Sequence, residues 1–421
     1  MGAQLAVGAA SLLINALAAR AMGPTGRGNL ALLLQVTYVC NIVALAGTDR
    51  AYPASVSPGR SPIAATTDAM RLVLPSTVVV LAVSLPIVFM IGAGTSSGGG
   101  LTLLAFLVSA LAMMAGAVVR TGAAASGVAE PFVVGTVAGQ LILIMAVTML
   151  TTLGIGSPAV WLLMYGAALS TAPVTAWVLL HRRRSGGSDH THNLRQVRQL
   201  GIRLLPAGLA SVVMLRADRL LLPWLGSYEQ LGLYIVVATL AEFVVWPVQS
   251  YVDAQASRWH RRFLAGELRL VRPLLGATAY GLVTAVGLLV VGHLAMVPVF
   301  GPEYRQSLEL LLPLAIGTLC YSVSRIAVGL AVAAGRARSA LVADIPAMVI
   351  ALAGYLLLIP GHGAFGASVA SAVAYGVGAL LAVVSSATLS RPSASNAAVG
   401  VARRRLAGAA DDPLTPSVLP D

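Results

Sequence analysis

Lysine is absent from this chain, and all 27 basic side chains are arginine. The absence holds in loops and apolar stretches alike, so no single arginine can be read as a choice made against lysine. Charge of either sign is scarce: 10% of the 421 residues are charged, against about a quarter in soluble domains. Such a sequence cannot dress an ordinary water-facing surface. Cysteine is limited to Cys40 and Cys320, both in apolar stretches where a thiol acts as a small packing residue, which excludes a disulfide framework. Catalytic patterns are missing as well. The stretch "GPTGRG" at residues 23–28 has glycines but no Lys-Ser/Thr and no preceding strand, so it is not a phosphate-binding P-loop. No GxSxG or HExxH pattern stands in a suitable context. His190 and His192 in "DHTH" have no Cys or further ligands beside them. Neither an enzyme nor a metal or cofactor site is expected.

What is present is hydrophobic: 57% of residues, with mean hydropathy +0.86. A crossing of the hydrocarbon core needs roughly 20 apolar residues, and twelve such runs can be counted. Pro131 to Leu180 carries no charge and is long enough for two crossings, with a break at "GIGSP" around Gly154 to Pro158, so a helical hairpin is expected. Twenty arginines fall in alternate connections and the C-terminal segment, whereas the opposite connections hold Arg20, Arg27 and Arg305, and Arg203, Arg216, Arg219 and Arg325 lie within spans. That asymmetry places both termini in the cytoplasm. It also explains the net charge of +12 without nucleic acid. The opposite connections are all short, which argues against a polymerase or ligase working on extracellular glycans.

The spans repeat. Spans 2 to 6 begin near residues 28, 72, 101, 132 and 157, and spans 8 to 12 near 232, 273, 307, 340 and 364, giving offsets of 201 to 208. A unit of six crossings returns to its starting side, so the halves share an orientation. The expected fold is an all-α integral membrane protein of about twelve transmembrane helices in two six-helix lobes, parallel repeats around a central cavity. The lobes are expected at 1–180 and 200–390, joined by a polar cytoplasmic linker at 181–199. Residues 391–421, poor in large apolar side chains, read as a disordered cytoplasmic tail.

An arginine at mid-span costs roughly 2.5–3.5 kcal/mol on insertion scales, so something must offset it. Arg216 and Arg219 lie three apart on one helical face of span 7, with Asp218 pointing elsewhere; in span 10, Thr318, Tyr321 and Arg325 form a polar stripe. Arg20 and Arg27 are candidates for the outward rim, where they attract an anion, or for guanidiniums reaching to headgroups beside a plain turn. Span 8 places Glu242, Trp246, Gln249 and Asp253 on one face, and Asp49 stands one repeat before Asp253. Asp49, Asp218, Glu242 and Asp253 are therefore candidates for proton or sodium coupling, structural pairing with nearby arginines being the competing reading.

"LAARAMGPTGRGNLALLLQV", "LAGTDRAYPASV" and "RADRLLLPWLGSYEQLGLYIVVATLAEFV" resemble bacterial polysaccharide-export flippases of the MOP (multidrug/oligosaccharidyl-lipid/polysaccharide) superfamily, over residues 1 to 390. The resemblance implies a MATE-like fold in the bacterial inner membrane. It also implies alternating access that flips a polyprenyl-diphosphate-linked oligosaccharide outward, with Arg20, Asp218 and Arg219 at the cavity or its mouth. The expected partners are that glycan, membrane lipids, and a polysaccharide polymerase and glycosyltransferases. Arg216, Arg219 and Arg325, with Tyr321, are expected to hold the diphosphate, since a guanidinium fork stays charged and matches phosphate. The alternatives are a multidrug/cation antiporter of the same superfamily and, from another class, a membrane polysaccharide polymerase or ligase.

Overall fold

The computed structural model describes residues 2–55, 61–94, 98–128, 130–182, 194–268, 270–336 and 338–387. Most of the expected linker and all of the expected tail lie outside the described residues. Everything regular is helical: α1 (Gly2–Leu45), α2 (Thr48–Ser55), α3 (Pro62–Ala93), α4 (Gly99–Ser126), α5 (Glu130–Thr152), α6 (Pro158–Leu169), α7 (Thr171–Arg182), α8 (Leu194–Leu225), α9 (Tyr228–Leu264), α10 (Val271–Ala295), a π-helical turn (Met296–Phe300), a 3-10 segment (Pro302–Leu310), α11 (Leu311–Ala333) and α12 (Arg338–Ala387).

Among the described residues nine helical stretches are long and apolar enough to cross a membrane. Two of them are double. α1 has 44 residues and α12 has 50, lengths of about 65–75 Å at 1.5 Å per residue, against a hydrocarbon core of about 30 Å. Each is broken by one glycine with non-helical backbone, Gly23 (φ 65°) and Gly363 (φ 54°). Pro24 follows the first break, where a residue without an N–H loses nothing. At the second break the Ala364 N–H is satisfied by Gln230 Oε1 at 2.9 Å. With α8, 32 residues long, and with α6 and α7 forming one crossing, twelve crossings result. The hairpin falls where "GIGSP" places it, α5 ending at Thr152 and α6 starting at Pro158.

Burial is arranged for lipid. Many large apolar side chains point outward, such as Met90 at 76%, Leu294 at 73% and Leu357 at 77% exposure, while alanines such as Ala18, Ala105 and Ala367 sit at buried contacts. Hydrocarbon offers no incentive to hide leucine, and close helix approach needs small residues instead. α3 packs on α4, α10 on α11, α11 on α12, and α1 runs along α9, joining the two halves of the chain.

At that last seam the contact is reciprocal. A Cβ built on Gly28 would fall 1.8 Å from the Tyr228 carbonyl oxygen, and one built on Gly232 would fall 1.9 Å from the Pro24 carbonyl oxygen. Gly28 and Gly232 are 204 positions apart, as are Pro24 and Tyr228. Each glycine thus meets the carbonyl whose repeat partner meets the other glycine, as expected of a two-fold relation.

Candidate functional site

A cavity of about 490 Å³ is walled by the second half of α1, the start of α2, α4, α5, α6, α7 and the middle of α8. One end reaches Arg50 and Arg120, both exposed, and the other reaches Arg216. The first two mark the arginine-rich end of the bundle. Asp49 is the single carboxylate on the wall, beside three guanidiniums. Between the charged ends lie Asn41, Thr136 and Gln140. Asn41 Oδ1 and Gln140 Oε1 are buried without a hydrogen-bond partner among the described residues, which is unusual for buried acceptors. Tyr38 supplies a ring face 5.2 Å from the Arg216 guanidinium carbon.

Behind Arg216 the polar groups continue into the second half of the chain. Glu242 Oε1 forms an ion pair with Arg216 Nη1 at 2.9 Å and accepts a hydrogen bond from Arg219 Nη2 at 2.5 Å. One carboxylate oxygen therefore serves two cations. Asp218 turns away from this pair, as its position on the helix requires. Its Oδ2 accepts from the Tyr234 hydroxyl at 2.5 Å and its Oδ1 from the Arg219 backbone N–H at 2.8 Å. Ser371 Oγ stands 2.9 Å from the Tyr355 hydroxyl and 3.5 Å from that of Tyr234. Removing the Tyr234 hydroxyl with Tyr234→Phe is expected to cost about 2 kcal/mol, the range for a bond to a charged acceptor, read as earlier thermal unfolding in detergent. Unchanged unfolding would show that Asp218 finds an equal donor elsewhere.

Arg325 is paired with Asp344 of α12, through Nη2 to Oδ1 and Nη1 to Oδ2. Its guanidinium also lies 5.1 Å from the Tyr321 ring, which meets Tyr375 edge-on at 5.3 Å. Setting Arg216, Arg219 and Arg325 against Asp218 and Glu242 alone is thus corrected by Asp344: one buried and two half-buried guanidiniums face three carboxylates. Asp344 was visible in "LVADIPAMV" as a charge in an apolar run, the same signal that marked Arg325.

The two arginines read as rim candidates have internal partners. Arg20 is exposed and donates from Nε to the Val299 carbonyl at 2.8 Å and from Nη2 to the Pro298 carbonyl. It ties the end of the first crossing to the π-helical turn after α10. Arg27 is buried, at 6% exposure, and donates to Asn15 Oδ1 from Nε at 2.8 Å and Nη2 at 2.6 Å, so it stands off the surface. Of the other acids, Asp49 lines the cavity and Asp253 lies exposed, accepting from Gln249 Nε2 at 3.1 Å. Arg50 and Arg120, counted in the sequence only as loop charge, join the cavity because α2 and α4 carry them over its open end. Gln140 is the one amide in a long apolar run, and that isolation was its signal.

No protein-family model matches the sequence, and no curated protein sequence does. Solved structures do match in shape. The chain is similar to an inward-facing multidrug resistance MATE family transporter of the MOP superfamily, with TM-score 0.75, 14% identity, and coverage of 93% of this chain and 99% of the other. It is similar to the lipid II flippase MurJ in an inward closed conformation, with TM-score 0.67, 11% identity, and coverage of 98% and 93%. A MATE structure in a bent conformation matches at TM-score 0.65 and 13% identity, over 95% of each chain. The fold is therefore the MATE-like all-α membrane fold.

Proposed function

We propose that this chain is a transporter of the MOP type that moves a polyprenyl-diphosphate-linked oligosaccharide across the bilayer by alternating access, for polysaccharide synthesis. The carrying observation is the cavity wall, with Arg50, Arg120 and Arg216 against the lone carboxylate Asp49. A headgroup of two phosphates suits guanidiniums, which remain charged and bind oxygen pairs. The orphaned acceptors Asn41 Oδ1 and Gln140 Oε1 suit sugar hydroxyls, and the prenyl tail stays in lipid.

In this reading the arginine-rich end is cytoplasmic in a bacterial inner membrane, with both termini on that side. The headgroup enters past Arg50 and Arg120 and reaches Arg216, where a phosphate oxygen takes the place of Glu242. Arg219 then keeps Glu242, while Arg325 and Tyr321 stand behind as the next cationic station. Export of an anion from an inside-negative cell is favourable by about 2.3 kcal/mol per charge per 100 mV. Coupling through Asp49, Asp218, Glu242 or Asp253 then adds to a gradient that already points outward. Glycosyltransferases that load the lipid and a polymerase that consumes the glycan are the partners of such a step.

The test uses protein in liposomes with a short polyprenyl diphosphate bearing a fluorescent disaccharide, its flipping read by quencher accessibility. Arg50→Gln with Arg120→Gln is expected to slow flipping about 10- to 100-fold, as losing charged hydrogen bonds of about 1.5–3 kcal/mol implies, with protein yield unchanged. Undiminished flipping overturns the assignment.

A multidrug/cation antiporter is the second reading. The buried Asp218 and the half-buried Glu242 and Asp344, beside Tyr234, Tyr321 and Tyr375, favour it, as does the likeness to a MATE transporter. Uptake of ethidium lost on Glu242→Gln, with no movement of the glycolipid, would establish it instead.

A further inference from the structure

We infer that the cleft between the end of α9 and the start of α10 is a fixed site for one anionic phospholipid, separate from the transport cavity. The cleft has a volume of about 850 Å³. α10 packs closely on α11 but only lightly on α9, so the two helices splay apart at the arginine-rich end. Arg258 and Arg262, one helical turn apart near the end of α9, and Arg272 at the start of α10 converge on it, with Glu267 as the one carboxylate of the lining. All three guanidiniums are exposed, and among the described residues none of them has an ion pair. Three unpaired cations around one opening attract a phosphate diester.

Beside the arginines the lining is aromatic and apolar, with Tyr251, Trp259, Tyr280, Ala277 and Ile326. Trp259 is buried and stands edge-on to Tyr251, ring centres 6.0 Å apart. Cations, amphipathic rings and apolar side chains in one cleft are what a lipid's phosphate, glycerol ester and chain each require. Next to the lining residues in the chain, Leu264, Val271 and Leu275 are 63%, 66% and 64% exposed, and the exposed apolar face of α10 continues with Leu282, Val283 and Val286. A soluble anion would satisfy the arginines but leave the apolar depth of the cleft unfilled. A lipid satisfies both.

Gly276 provides a second handle. It lines the cleft, and a Cβ built on it meets nothing within 4 Å. A phenylalanine there fills the space meant for the acyl chain without forcing the backbone.

The experiment is native mass spectrometry of the full chain in detergent, titrated with phosphatidylglycerol or phosphatidylcholine. Wild type is expected to retain one phosphatidylglycerol at least 10-fold more tightly than phosphatidylcholine. Arg258→Gln with Arg262→Gln and Arg272→Gln should abolish that preference, and Gly276→Phe should reduce retention of either lipid. The pair Arg50→Gln and Arg120→Gln, which tests the transport cavity, should leave phosphatidylglycerol retention intact, so the two proposals fail separately. Equal retention of the two lipids by wild type, or phosphatidylglycerol retention unchanged in both the triple variant and Gly276→Phe, overturns the site. Displacement of the lipid by glycerol phosphate at equal concentration would mark a soluble-phosphate site and overturn it too.

Discussion

Replacing Gly232 with valine is expected to destabilise the protein by about 3 kcal/mol, the upper part of the range for overpacking a tight contact. A Cβ at this position falls 1.9 Å from the Pro24 carbonyl oxygen. Both atoms belong to backbone, so no side chain can swing away, and the first half of α9 must part from the segment of α1 that begins at Pro24. Parting them exposes the buried seam that includes Leu30, Leu231 and Leu233. The reciprocal geometry sharpens the expectation. Gly28→Ala with Gly232→Ala should cost much less than the sum of the two single changes, because the first substitution already opens the gap the second requires. Residues in contact through a shared backbone shift behave this way. A double-mutant cycle by thermal unfolding in detergent measures it. Additive losses would show that the two close approaches relax independently, and no loss from Gly232→Val would mean that the seam does not bear on folding.

Glu242→Leu carries the second large effect, also about 3 kcal/mol, the lower end of what removing one partner of a buried ion pair costs. Arg219, its side chain 6% exposed, loses its only side-chain ion pair among the described residues, and Arg216 at 22% loses the same oxygen. Asp218 remains nearby but is already engaged by Tyr234 and the Arg219 N–H, which limits how far it can replace the lost carboxylate. Adding Arg219→Met should recover most of the stability, since the damage lies in the stranded cation more than in the missing pair. Thermal unfolding of the single and double variants decides this. A double variant as unstable as Glu242→Leu alone would place the stress elsewhere in the cluster.

Much of this architecture could be read from residue order. Twelve apolar runs, the "GIGSP" break and the offsets near 204 come from hydropathy and turn chemistry, because every backbone group in hydrocarbon must bond within its own helix and each helix must span a fixed thickness. The stripe of Tyr321 and Arg325, and the divergence of Asp218 from its arginine neighbours, followed from the angle between successive residues. Partners did not follow. Periodicity says which face a side chain shares, not which helix comes to meet it, so Asp344 at Arg325 and Tyr234 at Asp218 needed tertiary packing. Arg27 looked like turn chemistry, yet its helix resumes at Pro24, and one turn later the side chain is already inside. Arg50 and Arg120 carried the opposite disguise: they sit at helix ends where positive charge marks topology, and only packing turned them toward a common opening.

On the proposed transport function, the link from Arg20 to the π-helical turn bears on opening at the far side. A π turn frees carbonyls that an ordinary helix would use internally, and Pro298 and Val299 give theirs to a guanidinium from the opposite half of the chain. Separating the halves at that end strands both oxygens and the cation together, and each must be rewetted before the gap is wide enough for cargo. Dehydrating osmolytes should therefore slow outward opening more than inward opening, and Arg20→Met, with no charge left to solvate, should erase that difference.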